Sequence, residues 1–453
     1  MSLAIPLVLF FATLVIVTIW RKSDKSKASA YRELPLPPGP KPLPFIGNAL
    51  DVPVTLPWRT YAQWAKRYGD IVHLRIFGQP VIILNTIGPV LDLLDKRSSN
   101  YSDRFLSEIV ALSGWDWNFV MIRYGPYWRR HRRAFNQYLN QAVVGTYDPQ
   151  QYQAARMMLR RFVFGANALR VAYGIEVPEK DDERIAAVER ALVATNEGFT
   201  PGAFWVDMLP ILKYVPSWVP GAGWKRKVDN WKIDAIATKE MPWQGLNVSW
   251  DIIYYGTSSL TFNIFAQRET SFSPIAIRLL ERISHLDGEA YREEEDIIKN
   301  VVGLVYAAGA ETTVSSVHSF FLAMTIYQEV QKRAQEQLMQ VVGPNRLPEF
   351  SDRPRLPYID ALCKECLRWQ PVVPLGVAHR SMVDDEYNGF FIPAGSAVMQ
   401  NTWAILHDPE EYPEPEEFKP ERFLKNGQLN PAIRDPAVAA FGAGRRSVYA
   451  TPC

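Results

Sequence analysis

Cysteine is scarce in this chain: only Cys363, Cys366 and Cys453 occur among its 453 residues. So few cysteines exclude a disulfide scaffold and are typical of a protein from a reducing compartment. Cys363 and Cys366 have the spacing of a redox pair, but the surrounding sequence "YIDALCKECLRWQ" predicts a helix, and no βαβ unit is predicted around it. We therefore interpret both as buried or spectator thiols.

A surplus of charge is also missing, because the formal net charge is only +2 at pH 7. A chain so close to neutral is not typical of a polyanion binder, and we expect no nucleic-acid partner. Six histidines and the absence of a G-x-S-x-G motif give little support to a hydrolase. Hydrophobic residues, in contrast, make up 47% of the chain, which predicts a large buried core.

One long hydrophobic run is present, "LAIPLVLFFATLVIVTIW" at residues 3–20. A helix of this length approaches the hydrocarbon thickness of an internal membrane. No basic residue precedes the run, and four follow it between residues 21 and 27. This order favours a transmembrane anchor at residues 1–20 over a cleaved signal peptide or a buried helix. It also predicts a cytosolic body.

The remaining chain divides into a linker and a body. Residues 21–48 are basic and then proline-rich, which predicts a stiff, extended spacer. In the body, residues 49–453, two strands joined by a Gly-Gln-Pro turn are predicted within 71–87. Helical patterns then dominate, the longest at 292–330, and residues 396–406 change from strand to helix. The predicted fold class is mainly α with a smaller β part (α+β).

Residues 241–267 are an unusual segment, in which Asp251 is the only charged residue. Its pattern follows neither a helical nor a strand period. Two interpretations stay open: an apolar lid that dips into a membrane, or an aberrant insert translated from non-coding sequence.

The sequence "AGAETT", residues 308–313, lies inside the longest predicted helix. A glycine in a helix costs about 1 kcal/mol relative to alanine, so Gly309 indicates that something packs against the backbone. Glu311 beside Thr312 suits a proton relay. The alternative, in which the hydroxyls bond to carbonyls one turn earlier, is equally consistent with the sequence.

Other polar residues stand at helical spacing. Trp128 and Arg132 are four residues apart, so an indole N–H and a guanidinium can donate to one anionic group. The alternative for this arginine-rich stretch is a solvated basic face. Glu365 and Arg368, three residues apart, can form an ion pair on one helical face.

In combination, these motifs resemble the cytochrome P-450 superfamily of haem-thiolate monooxygenases, most closely the fungal microsomal type. The resemblance covers nearly the whole chain, in family order: Trp128 and Arg132, 308–313, Glu365 and Arg368, His379 and Arg380, Pro420–Phe423, and Phe441–Arg446. Each motif alone is modest, but six in order form a strong signal. The resemblance implies the cytochrome P-450 fold.

The resemblance also implies roles for individual residues. Glu311 and Thr312 would deliver protons, and Gly309 would leave room for dioxygen. Glu365 and Arg368 would join Arg422 in an ion-pair network behind the haem. The residues expected to bind haem b are Trp128, Arg132, Ala308, Gly309, Arg380, Phe441, Gly444 and Arg446. Of these, Trp128, Arg132, Arg380 and Arg446 would hold the two haem propionates.

The resemblance further implies the reaction and its partners. We expect hydroxylation of an apolar small molecule with O2, using electrons from NADPH through a cytochrome P-450 reductase. The basic face at Arg129, Arg130 and Arg133 would bind that reductase. The expected location is the endoplasmic reticulum membrane, with a single lipid-spanning helix and the catalytic body facing the cytosol.

The chain departs from the family at the ligand loop. Phe441, Gly444 and Arg446 match, but Val448 occupies the position of the cysteine ligand. Valine has no lone pair, so no metal-ligating residue is predicted, and we expect this chain to lack the reaction. The family's final helix and sheet are also expected to be missing. Three explanations stay open: an intron read through after Arg446, a genuine truncated and haem-less product, or rescue by Cys453.

Overall fold

The computed structural model describes most of the body of the protein. It covers residues 33–53, 55–105, 107–161, 165–175, 182–198, 204–208, 210–254 and 274–447. The predicted anchor, and the linker as far as residue 32, lie outside the described residues. Within the ranges given above, no helix is both long and apolar enough to span a membrane.

Helices form most of the described body. In chain order they are α1 Pro57–Tyr68, α2 Ile87–Val90, α3 Ser98–Tyr101, α4 Glu108–Leu112, α5 Pro126–Tyr138, α6 Gln141–Val144, α7 Asp148–Arg161, α8 Gly165–Tyr173, α9 Glu183–Gly198, α10 Trp205–Met208, α11 Gly223–Tyr254, α12 Ile275–Ile283, α13 Gly288–Ile326, α14 Gln328–Val341, α15 Pro357–Trp369, α16 Thr402–Leu406 and α17 Ala437–Ala440. A π-helical turn, Leu91–Lys96, connects α2 to α3. The 3-10 turns are Gly145–Tyr147, Pro210–Tyr214, Phe350–Arg355, Pro420–Phe423 and Gly444–Arg446.

Proline marks the start of three helices. Pro57, Pro126 and Pro357 occupy the first position of α1, α5 and α15. The backbone N–H that proline lacks would have no partner within the helix at this position, and its fixed φ suits the first turn. The sequence therefore determines where α5, which carries two predicted site residues, begins.

The β part is small, as predicted. The strands are β1 Ile71–Ile76, β2 Gln79–Leu84, β3 Asp103–Arg104, β4 His379–Arg380, β5 Asp385–Tyr387, β6 Phe390–Ile392, β7 Ala397–Gln400, β8 Leu424–Lys425 and β9 Gln428–Leu429. The main sheet has the order β1-β2-β7-β4-β3, in which only β2 and β7 are parallel. This sheet brings residues near 103 and 380 together.

The predicted hairpin turn is displaced by two residues. Gln79 and Pro80 belong to β2, and Phe77 and Gly78 form the turn. Both turn residues have positive φ, 46° and 89°, which suits the right-handed twist of a two-residue hairpin. The predicted change from strand to helix within 396–406 is confirmed by β7 and α16.

The longest helix, α13, runs through the largest hydrophobic cluster. Its residues Ile297, Val301 and Tyr306 are buried among side chains of α8, α9, α11 and α12. The helix begins four residues before the predicted start and ends at Ile326, because Tyr327 leaves the helical conformation with φ −106° and ψ 68°. Its central position agrees with the prediction.

Residues 241–254 belong to helix α11, so the interpretation of this part as neither helical nor strand-like was wrong. Trp243 and Leu246 are buried in the same cluster as α13. Packing explains the difference, because the buried contacts of α11 stabilise a helix whose sequence has little amphipathic pattern. Residues 255–267 of the unusual segment lie outside the described residues.

An ion-pair network ties α15 to the turn at Pro420–Phe423. Fully buried Glu365 and Arg368 share two hydrogen bonds of 2.7 and 2.8 Å. Arg422 Nε donates to the same carboxylate at 3.2 Å. These contacts agree with the network implied for the three residues. In the same helix, burial raises the pKa of the Cys366 thiol to about 12, which leaves little thiolate for redox chemistry.

Candidate functional site

Arg446 lies at the centre of the candidate site. Its guanidinium is 4.4 Å from the centroid of the Trp128 ring. Its Nε donates to the Ser102 carbonyl at 2.8 Å and its Nη2 to the Ile122 carbonyl at 2.7 Å. Main-chain carbonyls therefore hold this buried cation in place without neutralising its charge.

Helix α5 contributes the two residues that helical spacing predicted to act together. Trp128 is buried against Arg446, and Arg132 Nη2 donates to the Ser447 carbonyl at 2.6 Å. The indole ring of Trp128 also contacts Tyr124, with ring centroids 5.2 Å apart. The prediction that one face of this helix serves the site agrees with these contacts.

The paired strands β3 and β4 add two further arginines. Asp103 lies opposite Arg380, and their Oδ2 and Nη1 atoms are 3.5 Å apart. Arg104 lies opposite His379, and its Nε and Nη1 donate to the carbonyls of Val120 and Val377 at 2.9 and 2.6 Å. The sequence analysis missed Arg104. The only sign of Arg104 in the sequence was the short polar run "SDR" at residues 102–104. Its importance depends on the pairing of β3 with β4, which places Arg104 opposite His379.

We call Arg104, Arg132, Arg380 and Arg446 the arginine cradle. Burial, together with the charges of Arg104 and Arg132, lowers the pKa of Arg446 to about 8, and Asp103 opposes that shift. Burial likewise lowers the pKa of Arg104 to about 9, and Asp103 opposes that shift. Each lowered pKa means that burial destabilises the charged form, so a bound anion would stabilise the charged guanidinium.

His379 adds no further positive charge to the cradle. Its Nδ1 lies 2.7 Å from the Tyr101 carbonyl, which fixes the proton on this nitrogen. Burial, followed by the charge of Arg104, holds the pKa of His379 well below its ordinary value. The imidazole is therefore neutral at pH 7.

The cradle fits the carboxylate edge of the haem that the resemblance implies. Asp103 is the acid that interacts with Arg104, Arg380 and Arg446, and the two carboxylates of haem would add negative charge to the cradle. The buried hydroxyl of Ser102, whose carbonyl binds Arg446, is a second indication because its oxygen has no hydrogen-bond partner. The haem of this family also needs a thiolate to bind its iron, and Val448 does not provide one.

The loop that carries Arg446 is held by close backbone contacts. Gly444 has φ +65°, and a Cβ atom there would lie 1.9 Å from the carbonyl oxygen of Leu94. Only glycine tolerates both conditions. Phe441 is half-buried one turn earlier, and its carbonyl is 3.4 Å from Ser447 Oγ. Close packing against the π-helical turn Leu91–Lys96 therefore explains why glycine occupies position 444 of the loop.

An open cleft of about 490 Å3 adjoins the cradle on α5. Its lining residues are Trp128, Arg129, Arg132, Arg133, Asn136 and Gln137. The predicted basic face was wrong at one position: Arg130 points to α13 and pairs with Glu293 and Glu294 at 3.2 and 2.9 Å. A helix turns by about 100° per residue, so Arg130 is rotated by that angle from Arg129, towards α13.

The predicted residues on α13 form a second group. Ala308 and Thr312 are exposed on one face, and Thr312 Oγ1 donates to the Ala308 carbonyl at 2.7 Å. This bond is the one expected under the structural alternative. A Cβ atom at Gly309 would lie 3.2 Å from Ala168 Cβ, so the glycine packs against α8. The packing prediction is confirmed, and it explains Gly309 without a role for dioxygen.

The chain is similar in sequence to a known protein family and to several of its members. The sequence matches the family model described as Cytochrome P450 over residues 37–163 and 265–447. Cytochrome P450 monooxygenase COX1 of Coprinopsis cinerea is 40% identical over 92% of this chain and 80% of its own length. Cytochrome P450 monooxygenase 208 of Postia placenta is 39% identical over 97% and 83%. Tryptamine 4-monooxygenase of Psilocybe cyanescens is 38% identical over 93% and 83%.

Proposed function

This chain belongs to the cytochrome P450 family of haem-dependent monooxygenases, and we propose that its site is built to hydroxylate an apolar small molecule with O2. The arginine cradle is the observation that carries the proposal. In this family the bound haem activates dioxygen with electrons from a redox partner. In this proposal the fold supplies the cradle, and helix α13 would lie on the oxygen side of the haem.

In the proposed site, the cradle and Trp128 hold the two haem carboxylates. Arg446 and Arg104 are already oriented by main-chain carbonyls, so little side-chain entropy is lost when they bind. Thr312 and Glu311 on α13 would pass protons from solvent towards the oxygen side. Thr312 must then leave the Ala308 carbonyl or share its hydroxyl with a second acceptor.

We propose that the electrons come from NADPH through a flavoprotein reductase that binds the cleft on α5. Arg129 and Arg133 are exposed there, whereas Arg130 is paired with acidic residues of α13. Two exposed cations beside a cleft suit an acidic partner. The hydrophobic run at residues 3–20 supports a location on the endoplasmic reticulum membrane, with the body in the cytosol.

Val448 limits what this chain does by itself. The cysteine thiolate of the family donates electron density that promotes O–O cleavage, and valine has no electron pair to donate. We therefore propose that turnover requires a cysteine at position 448. The second candidate function, favoured by this one substitution, is a haem-less, non-catalytic protein tethered to the membrane.

The test is spectroscopic. We would express the chain and its Val448→Cys variant with a haem precursor, reduce both, and add carbon monoxide. We expect a thiolate-type Soret shift from Val448→Cys and none from the unchanged chain. A folded Val448→Cys protein without that shift would contradict the monooxygenase site. A thiolate-type shift from the unchanged chain would show that another cysteine supplies the ligand.

A further inference from the structure

The arginine cradle fits the carboxylates of haem, whereas the residue at position 448, a valine, cannot bind its iron. We infer that this chain binds the carboxylate edge of a tetrapyrrole independently of any metal. A metal-free dicarboxylate tetrapyrrole is then held as tightly as haem. The inference rests on the proposed site but not on its reaction.

Charge is the first support. Arg446 is 7% exposed and Arg104 is 4% exposed, and a single acid, Asp103, attracts both. A bound dicarboxylate would stabilise the charged form of every cradle arginine, most strongly where water is excluded. Nothing in this balance involves a metal.

Preorganisation is the second support. The guanidiniums of Arg446 and Arg104 are fixed by carbonyls of Ser102, Ile122, Val120 and Val377. Arg132 is fixed by the Ser447 carbonyl. Both partners in each of these contacts are protein groups, so none of the contacts involves a metal–ligand bond. The residue after Ser447, where the family places its thiolate, is valine.

The test compares three ligands on the full chain in detergent micelles, by quenching of tryptophan fluorescence. The ligands are protoporphyrin IX, ferric haem, and protoporphyrin IX dimethyl ester, which lacks both carboxylates. We expect Kd values for the first two that agree within about threefold, and a Kd for the ester at least about tenfold weaker.

Two results would overturn the inference. Haem binding much tighter than protoporphyrin IX would mean that a residue of this chain bonds the iron. Ester binding as tight as that of the free acid, or no binding of protoporphyrin IX, would remove the role of the cradle and, in the second case, favour the haem-less alternative.

Variants separate the cradle from the rest of α5. Arg132→Gln should weaken both free acids by about tenfold, since one charge-assisted bond is lost. The matched control is Arg130→Gln, because Arg130 pairs with Glu293 and Glu294 of α13. This variant should leave both Kd values unchanged. Circular dichroism verifies that each variant is folded. Equal losses in the two variants would contradict the assignment.

Val448→Cys distinguishes this inference from the proposed function. It should tighten haem by more than about tenfold and leave protoporphyrin IX unchanged, because only the metal gains a ligand. If Val448→Cys protein binds protoporphyrin IX but gives no thiolate spectrum, the proposed function is contradicted and the metal-independent binding is not. An equal gain for both ligands would sink the inference alone.

Discussion

At the scale of single residues, the site depends on backbone contacts that few side chains could make. Three arginines of the cradle, Arg104, Arg132 and Arg446, donate hydrogen bonds to main-chain carbonyls rather than to carboxylates, which keeps their positive charge available. Gly444 brings its own backbone against Leu94 so that Arg446, two residues later, reaches the Ser102 carbonyl. A glycine and an arginine thus work as a pair across one turn.

Gly444→Ala should destabilise the protein strongly. The new Cβ would lie 1.9 Å from the Leu94 oxygen in a backbone with φ +65°. We expect a loss of about 3 kcal/mol in the free energy of unfolding, measured in urea. Gly442→Ala is the control, since φ there is +78° but no atom lies within 4 Å of the new Cβ. Equal losses in both variants would show that φ alone, and not the contact, is responsible.

Glu365→Ala should cost about 3–5 kcal/mol of the free energy of unfolding, because it leaves Arg368 buried without a carboxylate. Urea denaturation measures the loss. The matched control is Glu329→Ala, which breaks the pair with Lys332 at the same i, i+3 spacing on an exposed surface. We expect little change there. A small effect of Glu365→Ala would mean that the network is not required for stability.

At the scale of elements, the sequence predicted helices and motif positions better than it predicted which way side chains face. Helix α13 and the helix around Glu365 were predicted because their periodic or apolar patterns are long. Arg104 was missed because its partners, Val120 and Val377, are distant in sequence. Arg130 was assigned to the wrong face because no sequence pattern showed that Glu293 and Glu294 would meet it.

The two faces of α5 predict opposite effects of charge reversal. Arg133→Glu should weaken binding of the reductase about tenfold at low salt, and less at high salt, because exposed charges steer acidic partners. Surface plasmon resonance at two ionic strengths measures this. Arg130→Glu should leave that affinity unchanged and lower the melting temperature, since it faces two carboxylates of α13. Unchanged binding by Arg133→Glu would move the docking face away from α5.

At the scale of the whole molecule, the fold assembles the arginine cradle from segments that are far apart in the chain. Strands β3 and β4 pair residues near 103 and 380, and the loop at 444–446 returns to the helix at 126–138. Periodicity within one segment cannot reveal such pairings. The order of the family motifs along the sequence can reveal them. For this reason the resemblance predicted Trp128, Arg380 and Arg446 as one group.

Buried histidines should make the whole protein sensitive to acid. Burial lowers the pKa of His73 to about 4 and that of His407 to about 3, and it also lowers the pKa of His131 and His379. Below the ordinary value of 6.5, the unfolded chain takes up protons that the folded chain refuses. Stability is therefore full above pH 6.5 and falls as the pH drops towards 4.

His73 and His407 each contribute a slope of about 1.4 kcal/mol per pH unit within this window. Urea unfolding at pH 7.5, 6.5, 5.5 and 4.5 measures the combined slope. His407→Gln should make it shallower by about one histidine's share, because the ring buried against Trp403 is replaced by a group that does not titrate. Equal stability at pH 7.5 and pH 5.5 would mean that the native protein accepts these protons, and that the histidines are not enclosed as described.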